Sequence, residues 1–164
     1  MNCVTDHIEL ELLNDFNRDK VLNIQKDSMD EEFVYDISYT LKLAKFIADN
    51  NMRGHCYAIK YSNNYIGIVL VCEIIKDEVD LSKIPKNDYF KIIGFTIDKN
   101  YRGKGIGTKA LELALKDIIK EYGNVPFLLE CGKDNIQAMK VYEKLGFNNT
   151  NILNDEDEYF LIKP

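Results

Sequence analysis

A glycine-rich turn between an apolar strand and a long amphipathic helix restricts the fold of this chain more than any other feature. Glycine occupies every second position from Gly103 to Gly107. The residues before the turn, 89–98, are apolar for most of their length, as in a strand covered on both faces. The residues after it, 106–122, repeat apolar side chains at helical spacing until Gly123 and Pro126 stop the helix. A strand that leads directly into a helix predicts layered α/β architecture.

This turn has the chemistry of an anion-binding site. The first N–H groups of a helix lack intrahelical partners and carry the positive end of the helix dipole. Glycine lets these amides approach a ligand closely, and Arg102 and Lys104 add positive charge. We therefore expect a diphosphate or pyrophosphate here. The order of residues fits neither a Walker A loop nor the G-x-G-x-x-G fingerprint, so a nucleotide triphosphatase and a Rossmann oxidoreductase are not expected.

The rest of the chain predicts a single domain over residues 1–164, because no repeat or Pro/Gly/Ser-rich linker divides it. Further strands are expected at 7–13, 56–61, 65–75, 127–131 and 159–163, and helices at 15–28, 36–50 and 135–145. Asp134 is the predicted N-cap of the helix 135–145, with Gln137 completing a capping box. The acidic residues 155–158 are interpreted as a hairpin turn between the last strands. This order of elements implies a mixed α/β sheet.

Composition argues against several classes of protein. With 21 basic and 27 acidic residues the chain has a net charge of −6. It therefore lacks the excess of positive charge that is typical of nucleic-acid-binding proteins. No apolar run approaches the roughly 20 residues of a membrane span, and charges in the first 13 residues do not fit a signal peptide. Four scattered cysteines and two histidines favour neither a metal site nor a disulfide framework. We therefore expect a cytoplasmic protein with reduced thiols and no metal.

Two segments resemble the GNAT superfamily of acyl-CoA-dependent N-acetyltransferases. The family turn, Arg/Gln-x-x-Gly-x-Gly/Ala, is matched from Arg102 to Gly107. A second family segment, a strand followed by Asn and a helix ending in Tyr-x-x-x-Gly-Phe, is matched from Asn135 through Tyr142 to Phe147. Together the two matches cover roughly residues 56–163. The resemblance implies the GNAT fold, a mostly antiparallel sheet with flanking helices in which one pair of parallel strands splays apart.

The resemblance also implies that acetyl-CoA binds in the gap between the splayed strands. Its pyrophosphate would accept hydrogen bonds from the turn amides, which belong to Arg102, Gly103, Lys104, Gly105, Ile106, Gly107 and Thr108. The backbone of Phe95 and Ile97 would pair with the pantetheine arm as another strand would. Asn135 would hydrogen-bond the arm near the helix start. Tyr142, two helical turns further on the same face, would donate a proton to the leaving thiolate.

The reaction that the resemblance implies is direct attack of a neutral amine on the acetyl carbonyl in a ternary complex. A primary ammonium has a pKa of about 10.4 and must first lose a proton. In the family the base is a carboxylate, or water bound to one, at a variable position. Glu73 near a strand end and Glu130 on the strand 127–131 are the candidates here. Transfer through an acetylated Cys131 is an alternative, although no suitable base accompanies that cysteine in sequence.

Acidic residues between the first two helices bear on the acceptor. In the family this connection borders the acceptor cleft, so Glu31, Glu32 and Asp36 would attract a cationic amine. A solvated acidic loop is the alternative interpretation. The segment 31–41 is similar to bacterial spermine/spermidine acetyltransferases, which favours a polyamine. An aminoglycoside, an amino sugar or a protein N-terminus are other acceptors, and a non-catalytic acyl-CoA sensor is a further possibility. The resemblance also implies a homodimer, since homodimers are frequent in the family.

Overall fold

The computed structural model describes residues 7–24, 36–75 and 81–164. Its strands are β1 (Ile8–Leu12), β2 (Gly54–Tyr61), β3 (Asn64–Glu73), β4 (Phe90–Ile97), β5 (Phe127–Gly132), β6 (Asn148–Leu153) and β7 (Glu158–Lys163). Its helices are α1 (Asp15–Val21), α2 (Ile37–Asp49), α3 (Ile106–Tyr122) and α4 (Ile136–Lys144), and a short 3-10 helix covers Lys99–Tyr101. None of these helices is both long enough and apolar enough to cross a bilayer.

All seven strands form one sheet in the order β1-β2-β3-β4-β5-β7-β6. Every neighbouring pair is antiparallel except β4 and β5, which run parallel. The mixed sheet with helices on its faces confirms the predicted fold class. The bounds of α3 agree with those predicted from its apolar stripe and its stop at Gly123.

The parallel pair is joined only at its beginning. Phe90 pairs with Phe127 and Lys91 pairs with Leu128, and no pairing follows. The register between β3 and β4 shifts just where this separation starts. Gly94 lies in that irregularity with φ +65°, and a Cβ there would come within 2.1 Å of Thr40 Oγ1 on α2. A bulge bends its strand, so glycine at this position lets β4 turn away from β5 while α2 packs closely on it.

Two apolar layers cover the sheet. The α3 face, as we call the side covered by α3 and α4, holds a core with the buried residues Phe90, Ile92, Ile106, Leu111, Phe127 and Leu129. The α2 face, on the other side, holds the layer formed with α1 and α2, including Leu41, Ala44, Ile68, Leu70 and Ile93. Because neighbouring side chains on a strand point to opposite faces, Lys91 and Glu130 project to the α2 face.

Some element boundaries differ from the prediction. The helix expected at 15–28 ends at Val21, and residues 25–28 lie outside the described part of the chain. The start of this helix is set by Asn14, which forms a reciprocal capping box with Asn17, and not by the spacing of its apolar residues. The predicted N-cap Asp134 is wrong, because Asn135 caps α4 by accepting from the N–H of Ala138.

The end of the sheet is a hairpin of β6 and β7. The prediction gave no bounds for β6, whose sequence is polar and lies at the sheet edge. Glu158 is the first residue of β7 and not part of the turn. This difference matters because the side chain of a strand residue projects to a defined face of the sheet, whereas that of a turn residue does not.

Candidate active site

The start of α3 leaves backbone donors open to a ligand. Gly105 is its N-cap at φ +78°, and no side chain caps the helix. Gly103 has φ +76°, and a Cβ on either glycine would meet no atom of the described residues within 4 Å. Glycine is therefore required at both positions by the left-handed backbone and not by crowding. The N–H groups of the first helical turn face this open space, which suits a multiply charged anion.

The side chains of the turn fix its position and add charge. Arg102 Nε donates to the carbonyl of Ile97 at 2.9 Å, which ties the turn to the end of β4. Asp98 accepts from the N–H of Asn100 at 2.9 Å and caps the 3-10 helix. Lys104 is exposed, with its Nζ 5.9 Å from the centre of the Tyr101 ring. The positive charge of Lys104 is thus presented to solvent beside the open amides.

Among the described residues, no strand pairs with β4 on the side of β5 beyond Lys91, which leaves that edge for a ligand. The N–H of Asp98 donates to Ile66, and Thr96 lies opposite Ile68, so these two residues turn their backbone groups toward β3. Phe95 and Ile97 alternate with them and direct their backbone groups into the gap. The carbonyl of Ile97 already accepts from Arg102, which leaves its N–H and both groups of Phe95 for an amide-bearing arm.

Tyr142 lies on the α3 face and interacts electrostatically with Cys131 of β5. It packs against the core there, with its ring centre 6.0 Å from that of Phe147. Burial raises the pKa of the Tyr142 hydroxyl, and the neighbouring Cys131 raises it further. Within residues 7–24, 36–75 and 81–164 nothing hydrogen-bonds this hydroxyl. It is therefore a protonated donor at neutral pH with its proton uncommitted.

Cys131 lies on β5, and Asn135 caps the helix α4 that follows the end of β5. The Asn135 Oδ1 accepts from the N–H of Ala138 at 3.3 Å, so its amide N–H₂ is the part that can meet a ligand. Cys131 is 4% exposed, and burial together with the charge of Glu158 raises the pKa of its thiol to about 11. A thiol with that pKa is a poor nucleophile at neutral pH, which argues against the acetyl-cysteine alternative.

The two carboxylates expected as bases lie in different places. Glu130 is on the α2 face, with Oε1 2.8 Å from Lys91 Nζ and Oε2 2.5 Å from Asn154 Nδ2. Glu73 lies opposite Phe90, at the end of β4 that still pairs with β5. There it accepts from Arg53 Nε at 3.0 Å. Only Glu130 of these two is therefore near the point where the strands separate.

Of the three acidic residues expected to attract the acceptor, only Asp36 lies among the described residues. Asp36 caps α2, accepting from the N–H of Ser38 at 3.2 Å and from its Oγ at 2.8 Å. The following turn of α2 packs Thr40 against Gly94, so Asp36 lies on the α2 face near the bulge. Glu31 and Glu32 fall outside the described residues.

Two charged residues near the open end of β5 were not singled out from the sequence. Lys91 is buried and pairs with Glu130. Glu158 on β7 is half-buried and is linked to Glu130 through Asn154. A charged residue inside an apolar strand is a usable signal for Lys91, but the acidic run around Glu158 is also typical of an exposed turn.

The comparison with known proteins agrees with this geometry. Residues 11–147 match the Acetyltransferase (GNAT) family, a range that contains the glycine turn, Asn135 and Tyr142. The chain belongs to the GNAT acetyltransferase family. This confirms the resemblance and the expectation of an acetyltransferase enzyme.

Relatives of this GNAT protein act on different amines. It is 23% identical over 159 residues, 95% of this chain and 97% of the relative, to a probable spermine N(1)-acetyltransferase of Bacillus subtilis subsp. natto. It is 31% identical over 78 residues to an N-alpha-acetyltransferase of Saccharolobus solfataricus, covering 44% of this chain and 47% of the relative. Spermidine N-acetyltransferase from Vibrio cholerae, solved with CoA and spermine, has a TM-score of 0.68 at 15% identity, covering 95% and 93% of the two chains.

Proposed function

We propose that this protein transfers an acetyl group from acetyl-CoA to a primary amine, with polyamines as the first acceptors to test. The observation that carries the proposal is the separation of β4 from β5 directly beside the uncapped start of α3. A free strand edge and an open set of helix amides then lie next to each other. That combination suits a ligand with an amide-bearing arm and a diphosphate.

The coenzyme would be held along this path. The amides of residues 102–108 bind its pyrophosphate, and the backbone of Phe95 and Ile97 pairs with the pantetheine arm. The N–H₂ of Asn135 supplies a further donor. The absence of any Cβ contact at Gly103 and Gly105 supports this arrangement, because the space above the amides is open.

The chemical step would be direct attack in a ternary complex. The amine nitrogen forms a bond to the acetyl carbon, the carbon–sulfur bond breaks, and Tyr142 gives its proton to the departing thiolate. The uncommitted and protonated hydroxyl of Tyr142 supports this role. Of the two carboxylates expected as bases, Glu130 lies nearer to the point where the strands separate, but its ion pair with Lys91 compensates its charge. The ion pair of Glu73 with Arg53 favours a structural role.

Three observations support a polyamine as acceptor. The net charge of −6 favours association with a polycation. Asp36 lies near the bulge of β4, and Glu31 and Glu32 precede it in sequence. The similarity to the probable spermine acetyltransferase extends over 95% of the chain. The local 31% identity to an N-alpha-acetyltransferase makes a protein N-terminus the second candidate.

Initial rates with a panel of acceptors would test the proposal. Spermidine, spermine, an aminoglycoside, an amino sugar and a peptide with a free N-terminus are compared at varied acetyl-CoA. We expect turnover of a polyamine with intersecting double-reciprocal plots, as a ternary complex requires. If only the peptide or only the aminoglycoside is acetylated, that compound and not a polyamine is the acceptor. Tight CoA binding without turnover of any amine would indicate a sensor, and no heat on mixing with CoA would refute the coenzyme site.

We also propose a homodimer in solution, since dimers are frequent in the family. Light scattering coupled to size-exclusion chromatography checks this. A mass near 38 kDa, about twice the 19.0 kDa of one chain, is expected. A mass near that of one chain at micromolar concentration would contradict it.

A further inference from the structure

The α2 face beside the open end of β5 carries an unbalanced negative charge. Strand alternation places Glu130 and Glu158 on this face, because Cys131 and Tyr159 between them belong to the core of the α3 face. Glu158 lies opposite Gly132, the last residue of β5, where β4 has already separated. The acceptor would reach the gap from this side, since the coenzyme path and Tyr142 occupy the other.

Lys91 and Glu130 neutralise each other. Their charged atoms are 2.8 Å apart, and the two side chains are only 5% and 12% exposed. The second oxygen of Glu130 accepts from Asn154 Nδ2 at 2.5 Å. One oxygen of this carboxylate is therefore held by the ion pair and the other by a hydrogen bond. Its charge is compensated, which makes it a poor acceptor for an incoming proton.

Glu158 differs from Glu130 both in the partners of its oxygens and in the compensation of its charge. One oxygen accepts from the same Asn154 Nδ2 at 3.0 Å, which holds the carboxylate near that of Glu130. Its other oxygen has no hydrogen-bond or ion-pair partner in the described ranges. Lys83 and Lys133 pair with the neighbouring Asp155 and Asp157, at 3.1 and 3.9 Å, and not with Glu158.

The turn also fixes the position of this carboxylate. Asn154 Oδ1 accepts from the N–H of Glu156 and of Glu158, both at 2.9 Å. Asn154 thus holds the backbone and the side chain of Glu158 at once. A carboxylate that is held on one oxygen and open on the other can receive an N–H donor without reorganisation.

We propose that Glu158 binds the ammonium group of the acceptor and takes its proton before the attack on acetyl-CoA. This inference rests on the proposed acetyl transfer to a primary amine and names the carboxylate that prepares the amine.

The proton balance of the reaction is complete with these two groups. The acceptor R–NH₃⁺ gives one proton to the Glu158 carboxylate and becomes R–NH₂. The nitrogen then bonds to the acetyl carbon and the carbon–sulfur bond breaks. Tyr142 protonates the thiolate, and the second proton of the nitrogen replaces the one that Tyr142 gave. The products are the N-acetyl amine and CoA thiol, and Glu158 releases its proton to solvent.

The electrostatic surroundings of Glu158 agree with a proton-accepting role. Burial raises the pKa of its carboxyl, and the charges of Glu130 on β5 and Glu156 in the turn raise it further. Hydrogen bonding from Asn154 and the charge of Lys91 on β4 act in the opposite direction. A carboxylate with a raised pKa is a stronger base at neutral pH than an ordinary surface glutamate.

The variant Glu158→Gln tests this assignment with spermidine, or with whichever amine the wild type acetylates fastest. Glutamine keeps an oxygen for Asn154, so the turn is preserved. We expect kcat/KM for the amine to fall about 100-fold at pH 7.5, with KM for acetyl-CoA within twofold of wild type. The rate of the variant should rise with the free-amine fraction up to pH about 10. Glu158→Asp should recover part of the loss, because it keeps the carboxylate.

Asp155→Asn is the matched control, since it removes an exposed charge of the same turn that pairs with Lys83 and not with Glu158, and its kinetics should match the wild type. Thermal unfolding separates function from folding. Because the folded state raises the pKa of Glu158, its ionisation disfavours folding at neutral pH, so Glu158→Gln should not lower Tm. An unchanged kcat/KM and pH profile in Glu158→Gln, or an equal loss of acetyl-CoA binding, would overturn the inference. If the wild type acetylates no amine, the proposed function itself fails.

Discussion

Single side chains at the gap differ in whether their polar groups are already engaged. Tyr142 and Glu158 each keep a polar atom without a partner among the described residues. Glu130 is held by an ion pair and a hydrogen bond, and Arg102 donates to the carbonyl of Ile97. Glu73 likewise serves an ion pair with Arg53. An uncommitted donor or acceptor at a cleft is free to meet substrate, so this distinction separates candidate catalytic groups from structural ones.

Removing the Tyr142 hydroxyl should affect turnover more than binding. In Tyr142→Phe we expect kcat to fall about 100-fold, because the thiolate loses its proton donor, while the Kd for acetyl-CoA stays within twofold. Tyr89→Phe is the control, since the Tyr89 hydroxyl donates to the Pro85 carbonyl at 2.9 Å and does not reach the gap. Steady-state rates and calorimetry give the two quantities. An equal loss of kcat and affinity would remove Tyr142 from the role of acid.

The role of Gly105 in coenzyme binding can be tested against a control for backbone strain. Gly105→Val should weaken acetyl-CoA binding at least 100-fold, because the side chain enters the space above the helix amides. Gly123 ends the same helix at φ +87°, and a Cβ there would likewise meet no atom within 4 Å. Gly123 has ψ −172°, a region essentially restricted to glycine, whereas Gly105 has ψ 1°. Gly123→Val therefore imposes at least as much backbone strain at the opposite end of α3 and should leave affinity unchanged. Equal affinity in the two variants, measured by calorimetry, would show that the turn does not bind the coenzyme.

At the level of elements, β4 combines two opposed requirements. Its first residues pair with β5 and close the sheet, and its last residues leave β5 and expose a free edge. The bulge at Gly94 makes the change of direction possible, and Thr40 of α2 occupies the space that a Cβ would need. The ion pair of Lys91 with Glu130 connects the two strands at the point where backbone pairing ends.

Breaking that ion pair should destabilise the sheet. Lys91→Met leaves the buried Glu130 carboxylate without its cation, which we expect to cost about 3 kcal/mol in the free energy of unfolding. Adding Glu130→Leu to Lys91→Met should restore most of that stability, because no buried charge is then left alone. Urea unfolding of the two variants measures both values. A loss in Lys91→Met that the double variant does not reduce would contradict this account.

The first three strands of the sheet together give the protein an acid-sensitive contact. Glu11 on β1 accepts from the Tyr65 hydroxyl at 2.6 Å and from Lys60 Nζ at 3.2 Å. The hydrogen bond from Tyr65 holds the pKa of Glu11 below its ordinary value of 4.5, and those from Asn17 and Lys60 act in the same direction. A lowered pKa in the folded state stabilises the protein above the ordinary value, and this contribution disappears as pH falls through the folded pKa.

Glu11→Gln should therefore flatten the acid side of the stability curve. Between pH 6 and pH 3 the urea midpoint of the wild type should fall more steeply than that of the variant, since glutamine has no proton to take up. Glu9→Gln, on the same strand, is the control, because Tyr65 and Lys60 donate to Glu11. Parallel curves for wild type and Glu11→Gln would contradict the prediction.

For the whole molecule, the two faces of the sheet serve different substrates of the proposed reaction. The α3 face presents the helix amides, the free edge of β4 and Tyr142, and the α2 face presents Asp36 and Glu158. The reacting carbon would lie where the strands separate, so coenzyme and amine approach from opposite sides. This arrangement favours a ternary complex over transfer through Cys131, whose thiol pKa of about 11 keeps it protonated.

Sequence patterns were sufficient for the parts of the protein that depend on neighbours along the chain. The apolar stripe of α3, its stop at Gly123 and the glycine turn before it were all predicted, because helix periodicity, capping and left-handed glycine conformations are local properties. The roles proposed for the turn amides and for Tyr142 rest on short motifs with fixed spacing. The folded arrangement settled which carboxylates are engaged: Glu130 is neutralised by Lys91 from a strand 39 residues earlier, and Glu158 joins the site only through the register of β5 with β7. Such pairings join residues that are distant along the chain, and local sequence patterns do not encode them.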